Sequence, residues 1–140
     1  MAVRPRTRGR PAVSWTLRVA TAAALGVSAG VHLYDAPAYD AVKATVSQGW
    51  LFRLEAAVAV VAALLVLVRP RPGGWVLALV VAAAALGAVL LYRYVDVGVL
   101  GPLPDMYENT WQVPGKALSA YAEGAAVVLT GLGLFVHTRR

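Results

Sequence analysis

Four long stretches of the chain are almost wholly apolar, and short polar or Pro-Gly-rich segments separate them. The stretches cover about residues 15–33, 50–68, 74–92 and 117–136. A helix needs about 20 mainly apolar residues to cross the roughly 30 Å hydrocarbon core of a bilayer, because each residue adds about 1.5 Å. The pattern therefore predicts an all-α fold, a bundle of four transmembrane helices formed by residues 15–136.

The composition is that of a membrane protein rather than of a soluble domain. The 140 residues are 59% hydrophobic and only 14% charged, with a mean hydropathy of +0.65. Soluble domains carry about 25% charged residues, so this chain has too little charge to cover a water-facing surface. The chain contains no cysteine, which excludes disulfides, thiolate metal sites and iron–sulfur clusters.

The distribution of basic residues predicts the orientation of the helices. Basic residues concentrate in the N-terminal arm (residues 1–14), in the turn after the second helix (69–74) and in the C-terminal tail (137–140). The positive-inside rule places these segments in the cytoplasm and loop 94–115 outside. The arm alone, with its four arginines, resembles a phosphate-binding segment. The other basic residues lie where membrane topology puts them, which favours the lipid bilayer over nucleic acid as partner. The four arginines are Arg4, Arg6, Arg8 and Arg10.

Small residues recur along two of the helices and predict close helix packing. They are Ala22, Gly26 and Gly30 in the first helix, and Gly124, Gly131 and Gly133 in the fourth. Small residues let helix backbones approach one another closely, which matters in lipid because no hydrophobic effect drives helices together there. Tryptophans predict the membrane interfaces, with Trp15 and Trp75 near the inner one and Trp50 near the outer one.

Ionisable residues within the spans gather near the outer ends of the helices. They include His32, Glu55, Arg93 and Glu123, one from each helix. Polar side chains are costly in lipid and usually face the bundle interior or a water-filled cavity. A buried carboxylate needs a partner, and the sequence offers Arg93 for Glu55 or Glu123, with His32 as the other candidate.

Further polar residues accompany this cluster. The secondary candidates are Ser28, Asp35, Arg53, Ser119 and Tyr121. Helical spacing places Ser28 on the face of His32 and Ser119 on the face of Glu123. Arg53 points to nearly the opposite face from the carboxylate two residues later, and its long side chain can extend to the lipid headgroups.

Two interpretations of the cluster remain open at this point. In the first, His32, Glu55, Arg93 and Glu123 form a buried ion-pair network that fixes the register of the helices. In the second, His32, Glu55 and Glu123 converge on an outward-facing pocket that binds a divalent metal ion, relays protons or holds a polar headgroup.

The connection between the third and fourth helices is too long for a simple turn. Loops longer than about 12–15 residues are usually functional or disordered. Residues 94–115 contain Met106, Tyr107 and Trp111 together with Pro102, Pro104 and Pro114. This composition fits a rigid lid over the mouth of the bundle, with Asp105 and Glu108 as its acidic tip. The alternative is an interfacial segment whose aromatic rings rest among the headgroups.

Four strings carry a resemblance to a known group of proteins. They are AGVHLY in the first helix, GWLFRLEA in the second, GPLPDMYENTW in the loop and KALSAYAEG in the fourth. Together they resemble small four-helix integral membrane proteins of actinobacteria, and the arrangement is similar to the DoxX-like four-helix group. The resemblance spans residues 30–123. It implies the fold, a location in the bacterial cytoplasmic (inner) membrane, and no particular reaction.

Three functions follow as hypotheses. The first is a non-enzymatic membrane protein, either an accessory subunit of a larger membrane complex or a small binding module with a pocket in the outer leaflet. The second is a homo-oligomer that handles protons or a divalent cation, although helices two to four carry no ionisable relay in their cytoplasmic halves. The third is an enzyme acting on a lipid or a quinone, with Glu55 or Glu123 as general base.

Overall fold

The computed structural model describes residues 13–139, which form four long α-helices. The helices are α1 (Trp15–Asp35), α2 (Gln48–Val68), α3 (Pro72–Tyr94) and α4 (Lys116–Thr138). A short 3-10 helix, Ala36–Tyr39, follows α1 directly, and the described residues contain no β-strand, only two isolated bridges. The predicted all-α four-helix fold is confirmed. Most of the predicted basic arm and the last residue of the predicted tail lie outside the described range.

Local signals determine where the helices begin. The Ser14 hydroxyl accepts a hydrogen bond from the Leu17 backbone N–H at 3.2 Å, and the Ser47 hydroxyl accepts one from the Trp50 N–H at 3.0 Å. Both serines are N-caps, which satisfy backbone donors that have no partner within the helix. Pro72 is the first residue of α3, a position that suits its fixed φ angle. As a result α2 and α3 begin two residues before the predicted spans.

The helices have the length and composition of membrane spans. They contain 21 to 23 residues, or about 32–35 Å at 1.5 Å per residue. This length matches the hydrocarbon core of a bilayer, and all four helices are apolar enough to cross it. The chain is therefore built as a multi-pass membrane protein.

The helices form an antiparallel ring. The main contacts join α1 to α2, α2 to α3, α3 to α4, and α4 back to α1. The Arg18 Nε donates to the Val66 carbonyl oxygen at 3.1 Å, which brings the start of α1 to the end of α2. The start of α1, the α2–α3 turn and the end of α4 thus lie at one end, the basic end. The α1–α2 linker and loop 95–115 lie at the opposite end, the loop end.

The small residues at the helix contacts are mostly alanines rather than the predicted glycines. Ala22 packs against the core, and a Cβ added at Gly133 would overlap the Trp75 ring, so close packing is confirmed at these two positions. Four predicted positions are wrong, because a Cβ there would meet nothing within 4 Å. They are Gly26, Gly30, Gly124 and Gly131. The helices instead meet through buried alanines such as Ala59 and Ala126.

Trp75 lies in the core and not at the predicted interface. Its side chain is fully buried, at 0% exposure, against the α4 backbone at Gly133. It packs with Leu25 and Val66 in the apolar cluster of the basic end. Because Gly133 has no side chain, the Trp75 indole can occupy the space beside it. The indole therefore fills the interior and not the headgroup region, whereas Trp15 and Trp50 are exposed.

Candidate functional site

Glu123 is the most deeply buried ionisable residue of the predicted cluster. It is 1% exposed, and the hydroxyls of Ser119 and Ser28 both donate to its Oε1 atom, at 2.6 and 3.0 Å. Ser119 lies one turn earlier on α4, as helical spacing predicts, while Ser28 reaches across from α1. Oε2 of Glu123 has no hydrogen-bond donor among the described residues. One carboxylate oxygen of Glu123 thus accepts hydrogen bonds from two serine hydroxyls, whereas the other accepts none from the described residues.

His32 lies between the two glutamates. Its Nδ1 is 2.9 Å from the Ser28 carbonyl oxygen and 3.1 Å from Glu55 Oε2, and its Nε2 is 4.0 Å from Glu123 Oε1. A carbonyl oxygen only accepts, so Nδ1 carries a proton and donates it to Ser28. The Phe52 ring meets the imidazole edge-on, with centroids 5.0 Å apart. The structure thus brings together three of the four predicted residues.

The geometry does not support the predicted metal site. Glu55 lies beside Nδ1 of His32, whereas Glu123 lies beside Nε2, on the opposite edge of the ring. A single ion bound to one ring nitrogen would be out of reach of the carboxylate on the other side. Within residues 13–139 there is no group of three or more His, Asp or Glu side chains arranged to hold a metal ion.

Arg93 does not join the cluster, so its predicted pairing with Glu55 or Glu123 is wrong. Its guanidinium carbon lies 4.9 Å from the centre of the Tyr94 ring and 5.7 Å from the centre of the Trp111 ring. None of the ion pairs formed by the described residues includes Arg93. It belongs to the last turn of α3, where loop 95–115 supplies aromatic rings that attract a cation.

The secondary candidates lie in different places. Arg53 is turned away from Glu55, as predicted, but its guanidinium forms two hydrogen bonds with Asp40, at 2.6 and 2.8 Å, instead of extending alone to the headgroups. These hydrogen bonds from Arg53 hold the pKa of the exposed Asp40 carboxyl below its usual range. Tyr121 is 80% exposed and points away from the bundle interior, while Asp35 reaches a cavity at the loop end.

This cavity has a volume of about 210 Å³ and lies between the four helices and loop 95–115. One part of its wall is apolar and includes Val31, Leu51 and Val89. The other part is polar and consists of His32, Asp35, Tyr39, Gln48, Glu55, Tyr92, Glu108, Lys116 and Ser119. The lining therefore combines polar groups of the cluster with apolar side chains, and the two kinds alternate along the helices, since Leu51 lies one turn before Glu55 on the same face.

Glu108 fastens the loop over the cavity. Its backbone N–H donates to the Tyr92 carbonyl oxygen at 2.9 Å, and its Oε1 accepts a hydrogen bond from the Tyr39 hydroxyl at 2.9 Å. Lys116 Nζ donates to the Glu108 carbonyl oxygen at 2.6 Å and to its Oε2 at 3.1 Å. These bonds connect the loop to the short 3-10 helix after α1, the end of α3 and the start of α4. The loop lies in the position predicted for a lid.

Several wall residues were not among the predicted candidates. Tyr39 and Phe52 pack edge to face with centroids 5.2 Å apart, and Lys116 pairs with Glu108. The only sequence signal for Lys116 is its position at the junction of the loop and α4, in the same KALSAYAEG string as Ser119. Phe52 lies three residues before Glu55, so helical spacing places it on the same face as that candidate.

Comparisons with protein-family models, with curated proteins and with solved structures give no match for this chain. The assignment of a function therefore proceeds from the geometry of the cavity and its wall.

Proposed function

We propose that the protein is a non-enzymatic binding module of the bacterial cytoplasmic membrane whose cavity takes up a small amphipathic molecule in the outer leaflet. The cavity of about 210 Å³ carries this proposal. Its lining brings the polar side chains of His32 and Glu55 next to apolar side chains such as Leu51. A site of that kind fits a ligand with a polar end and an apolar body.

The size of the cavity favours a binding site over a purely structural ion-pair network. Protein interiors are close-packed, with few voids larger than a water molecule. An apolar cavity of about 150 Å³ is large enough to bind benzene. An ion-pair network alone gives no reason for leaving such a space beside it.

The chemistry of the cluster favours binding over catalysis. The hydroxyls of Ser28 and Ser119 both donate to Glu123. The Ser28 hydroxyl also lies 3.4 Å from Nδ1 of His32. That nitrogen already carries a proton donated to a carbonyl oxygen, so it cannot accept the serine proton as a general base would.

The orientation of the module is part of the proposal. The turn at the basic end contains Arg69 and Arg71. By the positive-inside rule, these arginines support placing that end, with both termini, in the cytoplasm. The cavity and loop 95–115 then face the outside. The resemblance of the loop to actinobacterial membrane proteins supports a bacterial membrane.

Because the chain lacks cysteine, single cysteines introduced at the two ends test this orientation. Val99, in the loop, is 61% exposed, and Thr138 is exposed at the basic end. In intact bacterial cells a membrane-impermeant maleimide should label Val99→Cys, and it should label Thr138→Cys only after permeabilisation. The reverse pattern would overturn the orientation.

The binding proposal is tested by identifying what the protein retains. Protein purified in mild detergent is extracted with solvent, and the extract is analysed by mass spectrometry. Ala85→Leu places extra methyl groups in the cavity, whereas Ala84→Leu adds the same groups to an exposed position on α3. We expect a molecule retained near one per chain by wild type and by Ala84→Leu but lost from Ala85→Leu. Retention of nothing, or equal retention by all three, would contradict the proposal.

The accessory-subunit version of this function predicts a stable larger membrane complex. Isolation of the chain as a lone monomer in mild detergent would contradict that version and leave the binding module intact.

The proton- or cation-handling alternative has less support. In the described part of the chain, the core of the basic end consists mainly of apolar side chains such as Leu25 and Val66. Its buried polar side chains, Thr21 and Thr130, are not ionisable, and their hydroxyls donate to backbone carbonyls of their own helices.

A further inference from the structure

The wall of the cavity carries more carboxylates than positive charges. Asp35, Glu55 and Glu108 all line it, and Lys116 is the one lysine or arginine among the described lining residues. Lys116 pairs with Glu108 at 3.1 Å. His32 can match at most one of the two remaining carboxylates, so at least one negative charge is left over when all three are ionised. An unmatched carboxylate in apolar surroundings is costly unless a positive charge pairs with it.

Two buried carboxylate oxygens also receive no hydrogen bond from any residue in the range 13–139. Oε2 of Glu55, on the cavity wall, receives no hydrogen bond although His32 Nδ1 is 3.1 Å away, because that nitrogen donates to the Ser28 carbonyl. Oε2 of Glu123 also has no donor among the described residues, but Glu123 does not line the cavity. Buried polar atoms are nearly always hydrogen-bonded. The site is thus short of both N–H donors and positive charge.

Aromatic rings complete the wall. Tyr39, Phe52 and Tyr92 all line the cavity, and Phe52 contacts Tyr39 with centroids 5.2 Å apart. The face of an aromatic ring attracts a cation, and cages of such rings recognise ammonium groups. An anionic ligand would meet the excess carboxylates and be repelled. A neutral ligand would leave the excess charge unmatched.

We infer that the ligand of this cavity is a small organic cation, an ammonium group attached to an apolar body, with Glu55 as its main counter-ion. This inference rests on the proposed function and adds the chemical class of the ligand. The ammonium group supplies the missing positive charge and donates to the Glu55 carboxylate. The apolar body lies against apolar lining residues such as Leu51 and Val89.

Three probes of the same size test the inference. Phenethylamine, 2-phenylethanol and phenylacetate share a benzene ring and differ mainly in a polar end that is cationic, neutral or anionic. Binding to the full chain in mild detergent is measured by isothermal titration calorimetry. The Ala85→Leu variant gives the background from probe dissolved in the micelle. We expect the amine to bind at least about tenfold more tightly than the alcohol, a difference of about 1.4 kcal/mol. Phenylacetate should bind most weakly.

Two variants locate the effect on Glu55. Glu55→Gln keeps the size of the side chain and removes its charge, so it should abolish the preference for the amine and leave alcohol binding nearly unchanged. Asp105→Asn removes an exposed loop carboxylate that does not line the cavity, and it should keep the preference. Circular dichroism and gel filtration establish that each variant is folded. The comparison of the three probes on the wild-type protein tests the ligand class even if a variant of the polar wall does not fold.

The outcomes separate this inference from the proposed function. If the alcohol or the acid binds as tightly as the amine and Ala85→Leu blocks them all, the cavity binds ligands but the cationic class is wrong. If no probe binds specifically while a neutral or anionic molecule is retained on purification, the class is again wrong. If nothing binds and nothing is retained, both proposals fail.

Discussion

Replacing Gly133 by alanine tests the closest helix contact in the bundle. An added Cβ would overlap the six-membered part of the Trp75 indole, which is fully buried and has little room to move. Gly131 is two residues earlier on α4, and a Cβ there would meet nothing within 4 Å. The two variants therefore make the same chemical change in the same helix, one against a packed ring and one into open space.

The surroundings of the two glycines determine how large a change in the free energy of unfolding each variant should show. Alanine favours a helix over glycine by about 0.5–1 kcal/mol, so Gly131→Ala should be more stable than wild type by up to that amount. Gly133→Ala gains the same term, but forcing extra volume into a packed core costs about 1–3 kcal/mol. The helix term cancels when the two variants are compared. Gly133→Ala should thus be about 1–3 kcal/mol less stable than Gly131→Ala.

The assay is reversible unfolding in mixed micelles with increasing sodium dodecyl sulfate, followed by the helical circular dichroism signal. A double-mutant cycle with Trp75→Leu isolates the steric contribution, because the cost of Gly133→Ala should largely disappear once the indole is removed. Equal stability of Gly131→Ala and Gly133→Ala would refute the packing described here. So would a cost at Gly133 that persists without the indole.

Three further predictions follow from other contacts. Glu108→Ala removes the side-chain hydrogen bonds that hold the loop, so amide hydrogen exchange in the loop should accelerate by roughly tenfold or more. The reason is that one hydrogen bond to a charged group contributes about 1.5–3 kcal/mol. Asp105→Asn should leave the exchange rates unchanged. Arg53→Met should raise the pKa of Asp40 to the ordinary range, as followed by carboxyl NMR. Because Arg53 lowers that pKa in the folded state, its stabilising effect is present above the pKa of an unfolded aspartate and is lost as pH falls through the lowered value. An Asp40 pKa unaffected by Arg53→Met would contradict the pairing. Elemental analysis should find no stoichiometric zinc, copper or iron in wild type or His32→Ala, and metal present only in wild type would reinstate the metal site.

The depth of each residue in the bundle followed directly from the sequence. The four apolar runs predicted the helices to within about two residues, and the polar residues at their outer ends predicted that His32, Glu55 and Glu123 lie at similar depth. Distance along a helix axis depends only on the 1.5 Å rise per residue, which is a local property of the chain. Serine caps and Pro72 are likewise local signals, so the helix starts were accessible too.

The direction in which each residue points was decided by the tertiary structure. Arg93 turns to Trp111 and not to a carboxylate, Gly26 faces outward, and Glu108 fastens the loop through a hydrogen bond from Tyr39. The sequence by itself thus determined the number, length and order of the spans. Rotation of each helix about its axis came only from packing. In water an apolar stripe identifies the buried face of a helix, but in lipid both faces are apolar and that signal is lost.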